Sequence, residues 1–156
     1  MKKNKQIHMK QFYLIIVGCL LFIAQTFANN LVISGTPSFS SANQTLTFTM
    51  AWDNSWSINA GPSNWDGVWI FVKRQNCSGN NAWVHQKLST TSADHLAKLA
   101  SNSATSTDVQ VDAVADGMGV FIRRSALGNG TIATATVTLA LQTAANAVDN
   151  FQVFGT

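Results

Sequence analysis

Thr45-Leu46-Thr47-Phe48-Thr49-Met50-Ala51-Trp52 is the stretch that decides the fold. Large apolar side chains stand at every second position, with Thr or Ala between them. Successive side chains of a β-strand point to opposite faces, so this alternation predicts a half-buried antiparallel strand. Residues 53–64 then read as a polar loop carrying Gly61-Pro62. Residues 67–74, Gly-Val-Trp-Ile-Phe-Val-Lys-Arg, are apolar on both faces and read as a central strand. On these patterns Trp52 and Trp69, with Phe71 and Phe121, are expected in the core.

Working outward, residues 31–34 predict a short first strand, ended by Gly35-Thr36-Pro37. Residues 82–88 predict another. Residues 92–99 suit a helical turn or two with Ser92 as N-cap, and a Ser/Asn/Thr-rich tract follows. Residues 108–114 and 119–124 read as strands joined through Asp116-Gly117, a hairpin signal. Gly128-Asn129-Gly130 reads as a turn before a long strand at 131–141, itself a candidate exposed edge, and residues 150–154 as the last strand. Seven or eight short strands with frequent turns predict an all-β fold, a single antiparallel β-sandwich of immunoglobulin-like or jelly-roll type.

The first 28 residues read as a secretory signal peptide. Lys2, Lys3, Lys5 and Lys10 precede an apolar run at 12–24, and Thr26-Phe27-Ala28 offers small residues where a signal peptidase reads. Cleavage is expected after Ala28, leaving a β-sandwich domain at residues 29–156. The run is too short to span a bilayer, so no transmembrane segment is expected after cleavage. The expected localisation is periplasmic or extracellular. The alternative is a lipoprotein anchored through Cys19, because Ile16-Val17-Gly18-Cys19 resembles a lipoprotein box.

Removing the leader reverses the charge. The full chain carries +3, but residues 29–156 hold six basic residues against seven aspartates, a net charge of −1. That gives no basic patch for nucleic acid. Cys77 is the one cysteine after residue 28, so no internal disulfide is expected; it is either free or pairs between chains.

Catalytic chemistry finds little to work with. Glutamate is absent, so a glycosidase would need two aspartates across a cleft, and Asp53 with Asp66 is the best such pair. Their ordinary alternative is capping turns and accepting hydrogen bonds. Cys77 and His85 form a nominal nucleophile–base pair that fits no signature. No cofactor motif and no metal-ligand spacing is present. The tryptophans are more informative. Trp56 and Trp65 lie in and at the exit of the polar loop, and with Asp66 and Trp83 they form a candidate glycan-binding set.

The ordered motifs Trp52-Asp53-Asn54-Ser55-Trp56, Asn64-Trp65-Asp66 with Trp69, Phe71-Val72-Lys73, Trp83, and Phe121-Ile122 with Arg124-Ser125, Gly128 and Gly130 resemble a β-rich N-terminal domain of secreted bacterial proteins. In those proteins it precedes a formylglycine-generating-enzyme-like domain of the sulfatase-modifying-factor type. The likeness runs from about Leu31 to Phe154, without the enzyme-like domain. Arg123 stands where that pattern has an aromatic residue. The resemblance transfers no established activity and implies a secreted accessory module, here free-standing. The leading expectation is thus a secreted, non-enzymatic interaction or structural domain for a protein or cell-surface glycan. A carbohydrate-binding module using Trp56 and Trp65 is the alternative, and a hydrolase using Asp53 and Asp66 a remote one.

Overall fold

The computed structural model describes residues 29–99 and 109–156. The leader, its cleavage site and Cys19 lie outside the described residues, as do Asp108 and the tract before it. Ten strands follow one another: β1 (Val32–Ser40), β2 (Thr45–Ile58), β3 (Asn64–Trp65), β4 (Gly67–Gln75), β5 (Trp83–Gln86), β6 (Leu96–Leu99), β7 (Val109–Ala113), β8 (Val120–Arg124), β9 (Gly128–Ala140) and β10 (Asn150–Gly155). All pairings are antiparallel. They make two five-stranded sheets. One runs β1-β2-β9-β6 with β3 also on β2; the other runs β10-β4-β8-β7 with β5 also on β4. The fold is an all-β sandwich.

The alternation of β2 does what its sequence predicts. Leu46, Phe48, Met50 and Trp52 are buried, against Ile132, Ala135, Val137 and Leu139 of β9 in the same sheet. Val68, Ile70 and Val72 of β4 and Val120 and Ile122 of β8 face them from the second sheet. The two apolar faces exclude water from each other, which is the main stabilising term of such a fold.

Several local readings change. The segment expected to be a polar loop continues β2 as far as Ile58. The pairing of β2 with β9 shifts register on either side of Trp52, and Asn54 adopts φ 57°. Such a bulge re-aims the chain, so Ser55 and Ser57 turn inward while Trp56 and Ile58 point out. Gly128-Asn129-Gly130 is correspondingly not a turn but the first part of β9, paired with Ser55, Trp56 and Ser57.

The helical expectation at 92–99 reduces to one 3-10 turn at Ser92–Asp94, after which Leu96–Leu99 pairs with β9. Ser92 is not its N-cap; Ser92 Oγ instead accepts the Ala113 N–H at 2.9 Å. So short a helix has little stability of its own, and sheet pairing wins. β6 pairs with β9 at residues 135–138, so this part of the strand lies between β2 and β6 and is not the exposed edge its length suggested. β1 runs on through Gly35-Thr36-Pro37, where its register against β2 shifts. Among the described residues no helix is long and apolar enough to cross a membrane.

Candidate functional aromatic face

A two-layer sandwich needs one apolar face per sheet, and the outward faces of the two sheets differ sharply. On the β1-β2-β9-β6 sheet the outward positions include Thr45, Thr47, Thr49, Thr136 and Thr138, with Thr47 and Thr138 hydroxyls 3.0 Å apart. Threonine suits a solvated β-face. On the other sheet the outward positions of β4 are Trp69, Phe71 and Lys73, alternating with buried Val68, Ile70 and Val72. Cross-strand partners share a face. Phe121 opposite Trp69, Phe154 opposite Phe71, His85 opposite Lys73 and Trp83 opposite Gln75 therefore extend an aromatic surface across four strands.

This placement corrects the expected core. Trp52 is 1% exposed and central. Trp69, Phe71 and Phe121 are only half-buried and lie outside the buried cluster. The central position of β4 was read correctly, but burial on both faces needs a third layer, and none covers this one among the described residues.

Two glycines seat the tryptophans. The Trp65 ring lies over Gly67, where an added Cβ would come within 2.6 Å of it. The Trp69 ring lies over Gly119, where a Cβ would clash with both the ring and the Ile70 carbonyl. Glycine in a strand commonly marks such a close approach. Arg123 sits 4.8 Å from the Trp65 ring centroid and pairs through Nε with Asp112, which also accepts from Gln110 Nε2 at 2.8 Å. A guanidinium held over an aromatic face is an attractive cation–π arrangement.

From Trp65 the rings run through Phe121 at 6.0 Å, edge-on, to Trp69 at 4.9 Å. Further along, Phe154 and His85 flank Phe71 at 5.1 and 6.0 Å, each 11° from parallel. Carbon atoms of separate rings stay about 3.5–4.0 Å apart. Phe71 and Phe154 are thus too close to lie side by side in one plane; they overlap as an offset stack. Lys73 Nζ is 5.8 Å from the Phe154 centroid, and His85 Nε2 is 2.7 Å from the Met118 carbonyl.

The expected glycan set is only partly assembled. Trp65 opposes Ser57, so Trp56, one residue away, projects from the opposite face of the β2–β3 ribbon. Trp56 lines a cleft of about 490 Å³ with Ile58 and Leu127. Trp65 and Trp83 share the aromatic face but sit at its two ends, one beside Gly67 and the other opposite Gln75. Their exposures are 40% and 41%. Asp66 faces away from this surface, accepting from Asn29 Nδ2 at 3.1 Å. Asp53 accepts from Thr131 Oγ1 at 2.8 Å and Asn30 Nδ2 at 3.2 Å. Both aspartates hold structure, and neither lines the Trp56 cleft or a second one of about 490 Å³ between β1 and β10.

Cys77 and His85 are not brought together. The half-buried thiol contacts Gln75 and Asn150, while His85 stacks on Phe71. His95, buried at 7% exposure, accepts the Ala140 N–H through Nδ1 and reaches the Ser89 carbonyl through Nε2. It ties β6 and its approach to β9. Among the described residues no group of three or more His, Cys or Asp is placed to hold a metal ion. Compared with protein-family models, with curated proteins and with solved structures, the chain matches none.

The sequence pointed to Trp65 and Trp83, but missed Trp69, Phe71, Phe121 and Phe154 as surface residues. The signal was present in β4, whose two apolar faces exceed what a two-layer fold can bury.

Proposed function

We propose that the chain is a secreted, non-enzymatic interaction domain that docks a protein partner on the outward aromatic face of the β10-β4-β8 sheet. The observation that carries this reading is the contrast between the two outward faces: threonines flanked by the single aliphatics Val32 and Leu96 on one, and the clustered rings of Trp65, Trp69, Phe71, Phe121 and Phe154 on the other. Aromatic residues and arginine are the side chains most enriched where proteins meet. Ring edges and stacked rings offer a ridged apolar surface for side chains to pack into. The resemblance to an accessory domain of secreted proteins supports the same reading, as does the placing of Asp53 and Asp66 in structural hydrogen bonds and not across a cleft.

The exposed indoles of Trp65 and Trp83 favour a second reading, a glycan laid along the same face. One experiment separates the two. A photo-crosslinking residue is placed at position 154 of the aromatic face or at position 47 of the threonine face, and the exported protein is irradiated on cells of its source. A single crosslinked protein from position 154 and none from position 47 supports the protein partner. Equal capture from both faces, or from neither, refutes it. Saturable quenching of tryptophan fluorescence by a soluble polysaccharide, lost in Trp65→Ala, moves the assignment to the glycan.

A further inference from the structure

The first two described residues are held by both aspartates of the tryptophan-rich segment. Asn29 Nδ2 donates to Asp66 Oδ1 at 3.1 Å, and Asn30 Nδ2 donates to Asp53 Oδ2 at 3.2 Å. The Asn29 carbonyl accepts the Asp53 N–H at 2.9 Å. Asp53 is fixed in turn by Thr131 Oγ1 at 2.8 Å. Asn29 and Asn30 have φ of 59° and 32°, a region that asparagine enters with less strain than most residues. This short segment is therefore stitched onto the sandwich, where segments near a domain's start often fray.

The second Asp66 oxygen, Oδ2, is buried and has no partner. A buried carboxylate oxygen left unbonded is destabilising. Among the described residues the ion pairs are Arg74–Asp149 and Arg123–Asp112, so no side-chain cation pairs with Asp66. Hydrolysis of the Ala28–Asn29 bond by a signal peptidase supplies the missing group. It leaves a carboxylate on Ala28 and an ammonium on the α-nitrogen of Asn29, the residue already bonded to Asp66 Oδ1.

We infer that Asp66 is the receptor for the mature N-terminus: cleavage creates an Asn29 α-ammonium to Asp66 ion pair that the precursor, with an amide at that nitrogen, does not have. Capture of an N-terminal amine is an established mode of recognition. Here the captured amine belongs to the same chain, and the pair stabilises the domain only once it has been exported. The inference rests on the secretory reading, specifically on cleavage after Ala28. The charged groups bonded to this segment are Asp66, ahead of β4, through Asn29, and Asp53, on β2, through Asn30. Those two carboxylates favour the charged form of the amine. The stabilisation is then present near neutral pH and lost as pH rises through the amine's titration.

The test exports the full chain from a Gram-negative host and reads the mature N-terminus by intact mass. A second version carries one extra Ser after Ala28, so that its mature form begins ahead of Asn29. Thermal unfolding of both is followed from about pH 6 to about pH 10, spanning α-amine titration. The expected result is a mature protein beginning at Asn29, with the Ser-extended form melting about 2–6 °C lower near neutral pH. That difference vanishes at the alkaline end and in an Asp66→Asn background. Equal melting of the two forms overturns the ion pair while leaving secretion intact. A mature mass beginning elsewhere, or a lipid-modified Cys19, overturns the cleavage reading and the inference with it. The Ser extension alters no packed side chain, so the test stands even if Asp66→Asn fails to fold.

Discussion

Truncating Trp52 and Trp69 in parallel separates the core from the aromatic face by energy. Trp52 is 1% exposed and packed among Met50, Ile132 and the rest of the buried cluster. A tryptophan buries about 150–250 Å². At about 25 cal/mol per Å² that is roughly 4–6 kcal/mol of transfer energy. The retained Cβ and partial collapse of the cavity bring Trp52→Ala to about 3–5 kcal/mol. Trp69 is half-buried, resting on Gly119 and on Phe121 at 4.9 Å, with solvent on its outer side. Its truncation removes less area and leaves an open notch, so Trp69→Ala is expected to cost about 1–2 kcal/mol. The assay is urea unfolding followed by far-ultraviolet circular dichroism, since fluorescence would lose its own reporter. An unchanged urea slope confirms that only stability moved. If Trp69→Ala costs as much as Trp52→Ala, Trp69 belongs to the core, and the outward face is not a free surface.

Three further outcomes are expected. Asp149 is buried; it accepts the Cys77 and Asn146 N–H groups at 3.1 and 2.9 Å and lies 3.5 Å from Arg74 Nη1. Asp149→Ala therefore costs about 3–5 kcal/mol by urea unfolding, as loss of one partner of a buried pair does; a cost under about 1 kcal/mol would mean that water replaces the carboxylate. His95→Phe keeps the volume but leaves the Ala140 N–H and Ser89 carbonyl unpaired, for a loss of about 2–3 kcal/mol; no loss in the melting temperature would show those groups finding other partners. Gly119→Ala drives a methyl into the Trp69 ring and is expected to cost about 1–3 kcal/mol while shifting near-ultraviolet circular dichroism; an unchanged spectrum would mean that the indole does not rest on that glycine.

The sandwich was legible because β2 carries a clean period of two as far as Trp52, β4 is a continuous apolar run of strand length, and the antiparallel hairpin at Asp116-Gly117 is written in its turn residues. What was illegible traces to bulges and to long-range pairing. A reader of residues 53–58 meets Asp, Asn and Ser and infers a loop. The register shifts around Trp52 invert the pattern, so that serines are inside and Trp56 is outside. Nothing local marks Leu96–Leu99 as a strand either; its partner, β9, is some forty residues away in sequence. Propensity yields to tertiary pairing in such segments.

The same reasoning explains why the candidate site was misplaced as core. Apolar residues at consecutive positions say only that two faces are apolar, and the usual inference is burial on both sides. That inference holds for a strand covered above and below. In a two-layer sandwich it fails by construction, because each sheet has one partner layer. A strand such as Val68-Trp69-Ile70-Phe71-Val72 then carries more hydrophobicity than folding uses. The surplus is sorted by size: β-branched residues fill the inner face, and the rings stand on the outer one. The surplus is also organised, since Gly67 and Gly119 keep room for indoles, and Arg123 and Lys73 lie by the rings at either end. Gly67 leaves room for the Trp65 ring, and Gly119 for both the Trp69 ring and the Ile70 carbonyl, so the chain keeps an outward aromatic surface that its two-layer core does not bury, and that surplus is the ground for proposing a partner on this face.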